Sequence, residues 1–128
     1  RLELEELEDK ELEKELLLAI NKAIDYAFST KRGKGGFVIL AFAENKLCGV
    51  LVMNKTGMQE YIPENILVYI AVDKSKRNMG IGSSILQEAL KISDGDIALH
   101  VEYDNPAKHL YERCGFTTKY AEMRWHKE

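Results

Sequence analysis

Apolar residues follow two different rhythms along the chain, and the switches between them mark the elements. Leu12, Leu16, Ala19, Ile20, Ala23, Ile24 and Ala27 recur at helical spacing, which predicts a long amphipathic helix from about Leu7 or Asp9 to Phe28. Residues 37–43 and 46–54 read as two strands joined by Glu44-Asn45, an antiparallel hairpin. Residues 55–65 are polar, with Gly57 and Pro63, and predict a loop containing a helical turn. Ile66-Leu67-Val68-Tyr69-Ile70-Ala71-Val72 is an unbroken apolar run rich in β-branched and aromatic residues, the composition of a buried strand. Beyond a polar break, Ile81, Ile85, Leu86, Ala89, Leu90 and Ile92 form a helical stripe that ends near Ser93. Residues 96–102 predict a strand parallel to the first apolar run, reached by a right-handed crossover. Asp104 or Asn105 can cap a further helix, with Pro106 at its first position and Gly115 as its stop. Residues 116–126 predict one long closing strand or two short ones, and Arg1-Leu2-Glu3-Leu4 alternates like a strand stub. The order predicts one domain over residues 1–128: a mixed α/β sheet, antiparallel first, with one parallel pair in its middle.

The turn between the apolar run and the following helix carries the first chemical signal. It reads Arg77-Asn78-Met79-Gly80-Ile81-Gly82-Ser83. The first N–H groups of a helix have no intrahelical partner, and the helix dipole makes that end positive. Glycines there let a phosphate approach the backbone closely, and Arg77 adds a positive charge at the rim. The same glycines would also serve a tight strand-to-helix turn with no ligand. Two familiar phosphate loops do not fit. A Walker loop needs a lysine after its last glycine, where Ser83-Ser84 stands. The dinucleotide fingerprint needs a third glycine.

Arg-x-x-Gly-x-Gly after an apolar strand resembles the signature of the GNAT superfamily of acyl-CoA N-acyltransferases, matched by Arg77, Gly80 and Gly82. The later stretch Asn105-Pro106-Ala107-Lys108-His109-Leu110-Tyr111-Glu112-Arg113-Cys114-Gly115-Phe116 resembles the family's second signature, a helix ending in Leu-Tyr-Glu-x-x-Gly-Phe. Both occur in the family's order within residues 66–116. The resemblance implies a GNAT-like fold whose two central parallel strands splay apart, with the pantetheine arm of CoA between them. It implies acetyl-CoA as co-substrate and a primary amine as acceptor, joined by direct attack in a ternary complex.

Carried residue by residue, the resemblance puts the pyrophosphate on main-chain groups of Asn78, Met79, Gly80, Ile81, Gly82 and Ser83, with Arg77 at the rim. It puts the pantetheine on main-chain groups of Ile70 and Val72, with an N–H of Ile70 or Ala71 polarising the thioester carbonyl. Lys108 could reach a phosphate or the adenosine, and as an alternative is a solvated helix lysine. Tyr111 matches the tyrosine that protonates the departing thiolate; otherwise it is an interior tyrosine packed between helix and sheet. The family's usual asparagine falls on Asp104, with Asn105 next to it. The glutamate that many members use as general base falls on Ile66, while Glu60 and Glu64 stand nearby. His100 and His109 could titrate near neutrality. The acceptor region corresponds to residues 26–36 and 57–64, where Glu60, Tyr61 and Glu64 would suit a cationic amine and the basic glycine-rich stretch 30–36 reads as a flexible connector or, alternatively, a lid.

Bulk properties narrow the classes. The formal net charge of −3 argues against nucleic acid as a partner. Residues 1–15 hold eight acids and three bases, so the body beyond is slightly basic, which suits an anionic co-substrate. Cys48 and Cys114 form no Cys-x-x-Cys pair, which gives no metal site and fits free thiols in a reducing cytoplasm. No apolar run is long enough to span a bilayer, so no membrane is expected. The closing strand could also exchange with a second copy to make a homodimer. Three functions follow: an N-acetyltransferase, a CoA-binding sensor or interaction module that lost turnover with its missing base, and a nucleotide-binding βα protein.

Overall fold

A computed structural model describes residue 18 and residues 21–29, 34–77 and 79–128. The strand stub at residues 1–4, the start of the first helix, most of the basic glycine-rich stretch and Asn78 lie outside the described residues. Residues 21–27 are helical and form α1. The sheet follows: β1 (Gly36–Ala43), β2 (Lys46–Lys55), β3 (Asn65–Val72) and, after α2 (Ile81–Ile92), β4 (Ile97–Leu99). α3 spans Ala107–Arg113. The strands lie side by side in chain order, β1–β2 and β2–β3 antiparallel and β3–β4 parallel. This is the mixed sheet that the hydrophobic rhythm predicts, with the expected helix across the parallel pair.

The β1–β2 turn uses Glu44 and Asn45, both with positive φ (53° and 66°), the conformation that matches a two-residue hairpin to strand twist. Strand alternation then divides the apolar residues between two faces. Leu51, Met53, Leu67 and Ile70 pack with Ile85, Leu86 and Ala89 of α2 and with Tyr111 of α3. Val52, with Val38, Val50 and Tyr69, packs against Ala23 and Ala27 of α1 on the other face. Gly49 leaves room for the first layer: a Cβ there would lie 2.6 Å from Cδ1 of Ile85, so a side chain would force the Ile85 side chain to shift. α1 is pinned at the end of β2, where Tyr26 Oη donates to the Lys55 carbonyl at 2.8 Å. The Asn54 side-chain amide, oriented to donate, reaches the Ala23 carbonyl at 3.0 Å.

Three expectations need correction. The strand expected over residues 96–102 pairs only from Ile97 to Leu99. The β3–β4 ladder ends at Leu67–Leu99, and the next β3 residue, Val68, is a bulge, which interrupts pairing. Residues 116–126 form no strand. A strand needs an edge to pair with, and β4 offers three residues; Tyr120, Met123 and Trp125 stand exposed instead. The loop at 56–64 contains turns and no helix, and its base is closed by Thr56 Oγ1 donating to the Pro63 carbonyl at 2.8 Å.

Candidate active site

The site begins with a change of register inside β3. Its first residue directs its N–H to β4, since Asn65 N donates to the Asp96 carbonyl at 3.0 Å. Strict alternation from Asn65 would point the main chains of Tyr69 and Ala71 the same way. At the far end, however, Asp73 N donates to the Cys48 carbonyl on the β2 side at 2.7 Å. Counting back from Asp73 gives the opposite phase, with Ile70 and Val72 turned from β2. The pairing reconciles the two: Val52 faces Tyr69 while Met53 faces Leu67, so Val68 is the extra residue. Ile70 and Val72 thus present N–H and C=O groups to the side that β4 has left after Leu99. Ala71 pairs with Val50 and turns its amide to β2, so of the two amides considered for a thioester carbonyl, that of Ile70 is on the open side.

At the end of β3 the chain makes a single 3₁₀ turn, Lys74–Lys76, then an extended Arg77. Gly80 adopts φ 78°, a left-handed conformation that glycine takes without strain, and its carbonyl accepts the first helical bond from Ser84 N at 3.0 Å. Among the described residues no side chain caps α2, and no acid stands in its first turn. Its leading amides, those of Ile81, Gly82 and Ser83, therefore form a positive, uncompensated helix end. Met79 is exposed and Arg77 half-buried.

Gly82 plays a part that spacing alone does not show. A Cβ there would lie 3.4 Å from Cδ2 of Leu110 and 3.7 Å from Cγ2 of Val72. The glycine seats the start of α2 against both α3 and the end of β3, and a larger side chain at this position would point into that packing.

α3 ends as its sequence predicts. Gly115 has φ 101°, Gly115 N reaches the Glu112 carbonyl at 3.1 Å, and Phe116 N reaches the Tyr111 carbonyl at 3.0 Å, a Schellman closure. Tyr111 is 4% exposed, with Phe116 edge-on at 6.0 Å between ring centroids. It shares the apolar cluster that holds Ile70. Asn105 Oδ1 accepts the Ala107 N–H at 2.9 Å, so this side chain holds the start of α3. Lys108 Nζ sits 5.7 Å from the centroid of the Tyr103 ring. His109 Nδ1 lies 3.5 Å from a Glu112 oxygen on the exposed side of the same helix.

Glu60, Tyr61 and Glu64 lie before β3 and the glycine turn lies after it, so the eight-residue strand separates the two groups. Glu60 (φ 67°) and Tyr61 are exposed. The structure brings Tyr120 to Tyr61, with ring centroids 5.8 Å apart, a pairing across 59 positions that no local pattern signals. Glu64 accepts the Asp96 N–H on Oε1 at 2.9 Å, and this bond holds its carboxyl below the ordinary carboxylate range. Ile66, the position to which the resemblance assigns a base, is half-buried on β3. Sequence reasoning also missed Asn65, 1% exposed, which donates to the Asp94 carbonyl at 2.8 Å. A polar residue at the head of an apolar run was its one visible sign.

Comparison with known proteins agrees with this architecture. Residues 34–118 match the sequence model of the acetyltransferase (GNAT) domain. Curated protein sequences give no match. Among solved structures, a Pyrococcus furiosus protein assigned as an acetyl transferase superposes with a TM-score of 0.61 at 23% identity, covering 92% of this chain and 76% of its own. An aminoglycoside 6'-N-acetyltransferase from Acinetobacter haemolyticus superposes at 0.62 with 16% identity, covering 91% and 81%. An integron cassette protein of Vibrio cholerae reaches 0.64 at 20% identity, covering 91% and 72%. With the domain match spanning most of the chain and the splayed strands and glycine turn in place, the chain belongs to the GNAT acetyltransferases.

Proposed function

We propose that the chain transfers the acetyl group of acetyl-CoA to a primary amine, by direct attack in a ternary complex. The register change at Val68 carries this reading, because it turns the main chains of Ile70 and Val72 into the opening between β3 and β4. An extended pantetheine amide chain can pair there as a strand would. The free amides of Ile81, Gly82 and Ser83 suit the pyrophosphate, with Met79, Gly80 and Arg77 beside them. Lys108 of α3 and the 3₁₀ lysines add positive charge for the phosphates. Asn105 supports this arrangement by fixing the start of α3.

Acetyl-CoA supplies the activated thioester; the chain binds it, orients it and manages protons. The Ile70 N–H is placed to polarise the carbonyl, and Tyr111 Oη delivers a proton to the departing sulfur. Glu60 and Tyr61 offer the acceptor amine a polar and aromatic surface in the loop before β3. The acetyl-CoA supply and the free thiols Cys48 and Cys114 fit a cytoplasmic setting. Among the described residues no helix is long and apolar enough to cross a membrane.

A second reading has its own observation. Ile66 puts an apolar side chain at the position to which the resemblance assigns a base, which suits a CoA-binding module without turnover. Calorimetric titration with acetyl-CoA and with ATP, followed by thiol release across an amine library, separates these readings. Binding of acetyl-CoA with thiol release for some amine supports the transferase. Binding without release for any amine leaves the sensor. Preference for ATP refutes both.

A further inference from the structure

The β3–β4 ladder is short: Asn65 with Ile97, Ile66 with Ala98 and Leu67 with Leu99. So brief a parallel pair fixes the angle between two strands weakly, yet this angle sets the cleft. Additional contacts gather at its closed end. Asn65 Nδ2 donates to the carbonyls of Asp94 at 2.8 Å and Asp96 at 3.3 Å, besides the main-chain bond to Asp96. Glu64 Oε1 accepts the Asp96 N–H at 2.9 Å. The turn closes directly onto that carboxylate: Gly95 has φ 96°, and a Cβ there would lie 2.6 Å from Cδ of Glu64. The Glu64 carbonyl in turn accepts Thr56 N at 2.9 Å, which ties the assembly to the end of β2.

We propose that Glu64 and Asn65 are positioning residues whose grip on the turn at 94–96 sets the angle at which β4 leaves β3, and with it the width of the cleft that takes the acyl-thioester arm. This rests on the acetyl-CoA reading above. Leverage gives the scale. Ile70 lies five residues past Asn65, about 17 Å along the strand. A rotation of about 3° at the clamp moves the cleft wall there by about 1 Å, and misplacement of that size can cost about 100-fold in rate. The Glu64 carboxylate is engaged by the turn, so its part is geometric rather than that of a partner for a cationic acceptor.

The test is steady-state kinetics on the full chain, varying acetyl-CoA and the amine separately, for wild type, Glu64→Ala and Glu64→Gln, with thermal melts alongside. Glu64→Ala should cut kcat/KM for acetyl-CoA by about 10-fold or more, while Glu64→Gln, whose side-chain oxygen still accepts the Asp96 N–H, stays within about threefold of wild type. If both variants raise the amine KM alike, Glu64 is an acceptor ligand and the clamp is overturned. Wild-type kinetics in Glu64→Ala, or a lowered Tm with unchanged kinetics, overturns it equally. Wild-type protein that neither binds nor turns over acetyl-CoA refutes the transferase reading itself, and the clamp proposal with it.

Discussion

Ser83→Asp separates folding from ligand binding at the start of α2, because the two should respond with opposite sign. Ser83 is the third residue of a helix with no acid in its first turn and, among the described residues, no side-chain cap. A carboxylate there faces the positive helix end, which contributes about 0.3–1 kcal/mol of stability. A chain of 128 residues has a melting entropy of about 0.27 kcal/mol/K, so Tm should rise by about 1–4 °C. The lost Ser83–Gln87 contact, 3.5 Å long and exposed, offsets little of this. The same carboxylate occupies the place assigned to the pyrophosphate. At about 5 Å and an effective dielectric of about 40, each like-charge pair costs about 1.7 kcal/mol, and two phosphate charges cost about 3 kcal/mol. Acetyl-CoA affinity should fall by about 100-fold, less at high salt. Differential scanning and calorimetric titration on one preparation measure both. Wild-type affinity in a Ser83→Asp protein whose Tm has risen would refute the phosphate site, since the charge would then be present and no anion would meet it.

Other expectations follow from the same geometry. Tyr111→Phe keeps the ring against Phe116 and removes only the hydroxyl, so kcat should fall by roughly 10²- to 10⁴-fold with acetyl-CoA affinity little changed; wild-type kcat with a responsive amine would leave Tyr111 as core alone. Gly82→Val should lower stability by about 1–3 kcal/mol through crowding Leu110 and Val72, whereas Gly82→Ala should melt near wild type and retain acetyl-CoA; equal melting of the two would refute the packing account. The depressed Glu64 carboxyl contributes stability that is complete above its ordinary value of 4.5 and lost as pH falls from there through its folded value. Melts of wild type and Glu64→Gln from neutral pH to about pH 3 should therefore converge at the acid end, and a constant difference would refute the assignment.

What the sequence reveals depends on whether the device has a side-chain signature. The glycine turn is legible because Gly80 needs a left-handed backbone, which selects glycine, while at Gly82 the nearness of Leu110 and Val72 asks only for a small residue. The end of α3 is legible for the same reason at Gly115. The closing strand misleads, because the β propensity of residues 116–126 says nothing about whether an edge is free to pair. The Glu64–Asn65 clamp is equally hidden, since its partners are the carbonyls and N–H of residues about 30 positions away.

The bulge is the deeper case. Nothing in the apolar run from Ile66 to Val72 singles out Val68, and a regular strand of the same composition would turn Tyr69 and Ala71 to the cleft. One inserted residue moves Ile70 and Val72 there and ends the pairing with β4 at the same point. The ligand contacts proposed along β3 and at α2 are all main-chain groups. Such a site constrains register, two glycines and the divergence of two strands, and leaves most side chains free to change. That is consistent with a fold retained at 16–23% identity among the compared structures, and it explains why the glycines are the part of the proposed co-substrate site that the sequence makes readable, while the register along β3 is not.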